Sequence, residues 1–185
     1  MKDYLSKNKR LNMKTEHKRY IILIVIILII VIGGQLLKNY MINNYKDQGS
    51  LCLVKQAINI TYTENRGGAW GIAQGDTLTF IVSNLLVLGI IIKFIITQKE
   101  RIGILDLSAL TLILGGGISN FIDRVIRGYV VDYIDVTPLF NFPIFNLEDI
   151  IIIIGWLIFI AVVGISMIKL KNEKVEDQIE ENNNK

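Results

Sequence analysis

Histidine, cysteine and proline are nearly absent from this chain of 185 residues, which holds one His, one Cys and two Pro. The lone Cys52 excludes a disulfide within one chain and any cysteine-built zinc cluster. The lone His17 lies in a basic N-terminal stretch beside the membrane surface, so Ser-His-Asp and Cys-His mechanisms are set aside. If the chain is a hydrolase, carboxylates lead as its acid–base groups. Charge is present, at 20% of residues, but it is segregated. Tyr20 to Leu37 carries none, while the first 19 residues hold seven Lys or Arg. With a mean hydropathy of +0.45, that clustering argues against a soluble fold.

Four stretches are long and apolar enough to cross a bilayer core of roughly 30 Å, which takes about 20 helical residues. They are residues 20–37, 78–97, 102–122 and 150–170. The third is the least uniform, with Asp106, Ser108, Ser119, Asn120 and three consecutive glycines at 115–117. A signal peptide fits the basic start and the first apolar run. However, no small-x-small cleavage site precedes Lys38 and the run exceeds a signal core, so an uncleaved span is expected. Basic residues set the orientation. The two tails and the turn between the second and third spans hold 14 of the 20 Lys and Arg, against six in the other loops. Both termini are therefore expected to be cytoplasmic. Residues 1–19 read as a basic tail that meets anionic lipid, and residues 171–185 as a polar, disordered one.

The longer loop, 38–77, shows strand-like alternation at Leu51 to Val54 and Ile58 to Thr63, followed by glycines that allow tight turns. The expected fold is thus an all-α polytopic membrane protein, four transmembrane helices with a small extracytoplasmic β-structured element. Residues 20–170 form the membrane domain. Cys52 reads as a packed small apolar residue, and Asp106 as reaching the cytoplasmic boundary.

Polar groups near membrane depth are costly, so each is a functional hypothesis. Here they cluster at the outer end of the third and fourth spans. Helical spacing puts Asn120, Asp123 and Arg124 on one face, which serves either a site or an Asp–Arg pair closing a helix end. Asp132 sits in an apolar frame of Val130, Val131, Tyr133 and Ile134, which raises a carboxyl pKa. Asp149 follows Asn146 by three residues at the start of the fourth span. That spacing fits a capping box. It equally fits a second carboxylate facing Asp132 at the membrane boundary and sharing one proton with it, as in aspartic proteases. Such a pair activates water against an amide without His, Cys or metal. A cation site from the same carboxylates is less favoured, because no His accompanies them.

Four blocks carry a resemblance: Asn65-Arg-Gly67-Gly68-Ala69-Trp70-Gly71, Gly116-Gly-Ile-Ser-Asn120-Phe-Ile-Asp123-Arg124, Gly128-Tyr-Val-Val-Asp132 and Phe145-Asn146-Leu-Glu148-Asp149. In order and spacing, from about residue 20 to about 170, the chain resembles the lipoprotein signal peptidases (signal peptidase II). The resemblance implies a bacterial inner- or plasma-membrane aspartyl endopeptidase that cuts a prolipoprotein just before its diacylglyceryl-modified Cys. It implies Asp132 and Asp149 as the catalytic pair, with Asn65, Gly67, Asn120, Asp123, Arg124, Asn146 and Lys38 supporting the site or binding substrate. The expected partners are diacylglyceryl-modified prolipoproteins and membrane lipid, with no nucleic acid, no cofactor and no metal, in a monomeric chain.

The chain departs from the family pattern at several positions. Gly34-Gln35-Leu-Leu-Lys38 lacks the Asp usual at position 34, Gly68 replaces Ala, Trp70 replaces Phe, and Glu148 stands where Ala is common. A third carboxylate at Glu148 would raise the pKa of the pair if it faced the site. Asp149, at a helix N-terminus, is expected to be the ionised partner and Asp132 the proton holder. Arg124 reads as a positioning group or, like Arg127, a headgroup anchor. Trp70, Tyr62 and Tyr129 read as interfacial anchors. The alternative function is a small transporter or channel subunit with carboxylates lining an ion path, and a further one is a non-enzymatic scaffold. A path requires charge spread through the membrane depth, whereas these charges gather at one boundary.

Overall fold

Uninterrupted apolar sequence without proline propagates helix, and it does so here at lengths that cross a bilayer. The computed structural model describes residues 2–68 and 75–183, with side chains described over 18–68 and 75–179. Ala69, Trp70 and Gly71 of the first motif block, and the His17 side chain, lie outside them. The helices are α1 (Lys2–Tyr45), α2 (Thr77–Thr97), α3 (Ile104–Arg127) and α4 (Leu147–Asn183), and each contains a segment long and apolar enough to span. Strands β1 (Leu51–Val54), β2 (Ile58–Asn65) and β3 (Val130–Asp135) complete the elements among the described residues.

α3 is the central helix, packed by α1, α2 and α4 and mostly buried, while the other three turn apolar faces outward. This explains why the third span is the least hydrophobic: few of its residues must be compatible with lipid. Its core contacts run through Leu107, Leu110, Ile113 and Leu114 to Leu23, Leu88 and Ile91. Two glycines let α4 approach closely. A Cβ on Gly116 would stand 2.8 Å from the Glu148 carbonyl oxygen, and one on Gly155 2.8 Å from that of Ala109.

The sheet is antiparallel, in the order β1-β2-β3, and sits at the C-terminal end of α1. Gly128 ends α3 in the left-handed conformation (φ 78°), donates its N–H to Arg124 O and turns the chain into β3. The Thr77 hydroxyl, opening α2, donates to Gly128 O at 3.0 Å and ties this corner to the second span. β3 pairs with β2 so that Thr63 lies opposite Asp132 and Asn65 opposite Val130. Its free edge is covered by Phe145, which exchanges backbone hydrogen bonds with Ile134 (2.7 and 3.1 Å). That short pairing delivers Asn146 beside Asp132.

Several sequence expectations change. Asp132 lies in a third strand, where the sequence marked strands only at 51–54 and 58–63. The run Val130 to Ile134 shows no apolar–polar alternation and so does not declare itself as a strand without its partners. The first helix runs past Leu37 to Tyr45, because the charge of Lys38 is neutralised inside the protein and does not mark a boundary. The polar stretch after Lys171 is helical to Asn183. Its residues Glu173, Glu176, Glu180 and Glu181 are good helix formers, it has no Gly or Pro, and it extends a helix already nucleated, so only propagation is needed. Cys52 is exposed on the edge strand β1, all four of whose residues are exposed.

Candidate active site

The site forms where β3, the start of α4, the end of α3 and the end of β2 meet. Two residues apart from direct register, Asn65 and Asp132 share a sheet face as a diagonal pair. Asn65 Nδ2 donates to Asp132 Oδ2 at 3.0 Å. Asn65 Oδ1 accepts from Gly67 N at 3.0 Å, an Asx turn that orients the amide and leads the chain off the sheet. Asp132 Oδ1 accepts from Asn146 Nδ2 at 2.6 Å.

Asn146 is fully buried and is the N-cap of α4. Its Oδ1 accepts from Asp149 N at 2.9 Å, and Asp149 Oδ2 accepts from Asn146 N at 3.1 Å. The capping box is therefore present, and it coexists with the functional arrangement rather than replacing it. The other oxygen of Asp149, Oδ1, accepts from Asn120 Nδ2 at 2.9 Å. The Asn146 amide thus joins Asp132, through its side chain, to Asp149, through its cap.

Asp132 is 2% exposed. Burial above all, then the negative charge of Asp149, pushes its carboxyl up to about 7, against the hydrogen bonds from Asn65 and Asn146 and the charge of Lys38. A carboxyl so placed holds or yields a proton near neutral pH, as general acid–base chemistry requires.

Both carboxylates line a cavity of about 670 Å³ shared with Asn65, Gly67 and Arg124. Its remaining wall is apolar, with Phe140, Phe142, Pro143 and Phe145 on the loop and Ile150, Ile153 and Ile154 on α4. Phe140, Phe142 and Phe145 stack edge to face at 6.2 and 5.7 Å, making that wall continuous. Arg124 donates to Gly67 O at 3.4 Å and lies 5.4 Å from the Phe80 ring centre.

A second buried cluster adjoins the first. Lys38 Nζ lies 2.9 Å from Asp123 Oδ2 and 3.3 Å from Glu148 Oε1, and donates to Asn120 Oδ1 at 2.6 Å. Asp123 Oδ2 also accepts from Val131 N at 3.1 Å, fixing β3 to α3. Its Oδ1 is paired with Arg127 and accepts from Gln35 Nε2 at 3.0 Å.

The structure thus brings Asn65, Asn120, Asp132, Asn146 and Asp149 into one hydrogen-bonded set and places Lys38 and Asp123 beneath it. Arg124 and Gly67 border the cavity. Arg127 is no free headgroup anchor: besides Asp123 it donates to Gln35 Oε1 at 2.9 Å and to Asn39 Oδ1 at 2.6 Å. Asp123 pairs with Arg127, one turn on, rather than with its neighbour Arg124. Gln35, Ser119 and the loop phenylalanines escaped the sequence reading as site residues. Gln35 carried a signal, being an amide at the end of an otherwise apolar run.

Residues 25–165 match the family model described as signal peptidase (SPase) II. The chain is 35% identical to a lipoprotein signal peptidase of Lactobacillus johnsonii, over 73% of this chain and 87% of that protein. It is 32% identical to one of Staphylococcus aureus, over 88% and 99% respectively. Among solved structures it is similar to a bacterial membrane enzyme determined by the in meso method at 2.3 Å resolution. That likeness has a TM-score of 0.69 and 32% identity, over 78% of this chain and 88% of that one.

Proposed function

Since the chain belongs to the signal peptidase II family and is a multi-pass bacterial membrane protease, we propose that Asp132 and Asp149 are its catalytic pair and that it frees prolipoproteins of their signal peptides. The observation that carries this reading is the placement of both carboxylates, joined through Asn146, at the polar end of an apolar cavity. Asp149, held by two N–H donors at a helix N-terminus, serves as the base that takes a proton from water. Asp132 holds the shared proton and gives it to the scissile amide. The roles then reverse as the amine leaves. The apolar wall receives the signal helix and the diacyl chains, and Arg124 and the Gly67 backbone position the peptide near the scissile bond. The cut falls before the diacylglyceryl-modified Cys, at the outer face, with both termini cytoplasmic and the chain acting as a monomer.

Nothing in the site favours ion transport, since the carboxylates of the cavity gather at one end of the helices. The test is reconstitution in liposomes with a prolipoprotein carrying its diacylglyceryl group and with the same protein lacking it. Release of a signal peptide from the modified form alone is expected. Equal cleavage of both, or of neither, contradicts the proposal.

A further inference from the structure

Glu148 is a buried carboxylate, 1% exposed, to which the reaction above assigns no part. It precedes Asp149 on α4 but does not line the cavity. Its Oε1 accepts from the Ser119 hydroxyl at 2.7 Å and lies 3.3 Å from Lys38 Nζ, while Oε2 has no hydrogen-bond partner among the described residues. The surface of α1 that it meets is Gly34. A Cβ added at Gly34 would run into the Glu148 carboxylate and stand 3.0 Å from Ser119 Oγ. Glycine at 34 is therefore what admits this side chain.

Charge explains why the carboxylate is held there. Lys38 and Arg127 supply two positive charges, and Asp123 and Glu148 two negative ones. Removing Glu148 leaves a net positive charge buried, with Lys38 drawn to Asp123 alone. Lys38 also donates to Asn120 Oδ1, and the Asn120 amide donates to Asp149 Oδ1. A chain of contacts thus runs from Glu148 through Lys38 and Asn120 to Asp149. Position 34 is one turn before Lys38, so a carboxylate there would reach the same ammonium by i,i+4 spacing.

We propose that Glu148 is a positioning residue of this peptidase: admitted by Gly34, it shares Lys38 with Asp123 and so fixes Asn120 against Asp149, supplying from α4 the carboxylate that α1 lacks. The proposal rests on the reading of Asp132 and Asp149 as the reacting pair.

The test compares Glu148→Ala, Glu148→Gln, the double variant Gly34→Asp/Glu148→Ala and, in parallel, Asp132→Asn. Each is reconstituted in liposomes with a diacylglyceryl-modified prolipoprotein and assayed across pH. Glu148→Ala is expected to lower kcat about ten- to a hundredfold with KM within about twofold, since misplacement and not binding is at fault. The double variant is expected to recover most of that loss. Glu148→Gln keeps the shape but not the charge. Around it stand Lys38 from α1, Ser119 from α3, Tyr133 from β3 and Asp149 on its own helix, with Asp123 of α3 on the far side of Lys38. With Lys38 less neutralised, its pull on Asp132 strengthens, and the pH–rate profile is expected to move to lower pH. A Glu148→Ala enzyme with wild-type rate and profile overturns the proposal, as does a deficit that the double variant leaves in place. An active Asp132→Asn enzyme sinks the reading of the pair. An inert one beside an unaffected Glu148→Ala enzyme sinks only the role given to Glu148.

Discussion

Asn146 and Asp149 cap each other: the backbone N–H of each donates to the other's side chain, at 3.1 and 2.9 Å. The same two side chains also reach the site, Asn146 to Asp132 and Asp149 into the cavity. Local helix chemistry and the proposed reaction therefore depend on the same atoms. Asn146→Ala should cost about 1 kcal/mol of stability through the lost cap and, in addition, lower cleavage by about 10²-fold through loosened geometry. Asn146→Ser, which keeps a capping oxygen, should restore the melting temperature but not the activity. Thermal unfolding in detergent and a cleavage assay separate the two effects.

The carboxyl of Asp132, raised to about 7 by burial and then by Asp149, gives a pH dependence of definite sign. A group with a raised folded-state pKa binds its proton more tightly folded than unfolded. Its stabilising contribution is complete below the ordinary carboxyl range near 4 and is lost as pH rises through about 7. Asp132→Asn should therefore gain in melting temperature over the wild type above pH 7 and show little difference at pH 4. Wild-type cleavage should fall above about pH 7, as the shared proton leaves.

Lys38 is wholly buried between two carboxylates. Lys38→Met leaves Asp123 and Glu148 short of a positive charge, at an expected loss of about 3–5 kcal/mol. Denaturation of the reconstituted protein measures it. A change under 1 kcal/mol would show that the ammonium is not needed there.

Gly116 faces the backbone of α4 at Glu148. Gly116→Val should push the start of α4 away from α3 and lower both stability and cleavage, whereas Gly164→Val, which meets nothing within 4 Å, should leave both unchanged.

Three spans were legible because lipid-facing helices must be apolar along their length, the third because its core face is apolar too, and strands at 51–54 and 58–63 because alternation marks them, the second running on to Asn65. The third strand was not, since Val130 to Ile134 is buried on both faces and shows no alternation. The motif residues could be named from sequence, but their connections could not. That Lys38 looks inward, that Arg127 pairs with Asp123 and Gln35, and that Glu148 fills the room left by Gly34 all follow from how α1, α3 and α4 pack. The polar stretch from Lys171 misled in the other direction, because composition suggested disorder where helix continues from an apolar span.

The most direct measurement is cleavage of a diacylglyceryl-modified prolipoprotein in liposomes by Asp132→Asn and Asp149→Asn, each shown to be folded by its melting transition. A loss of about 10²–10⁴-fold in both is predicted, as expected for removal of an acid–base partner. Near wild-type cleavage by either variant would contradict the account.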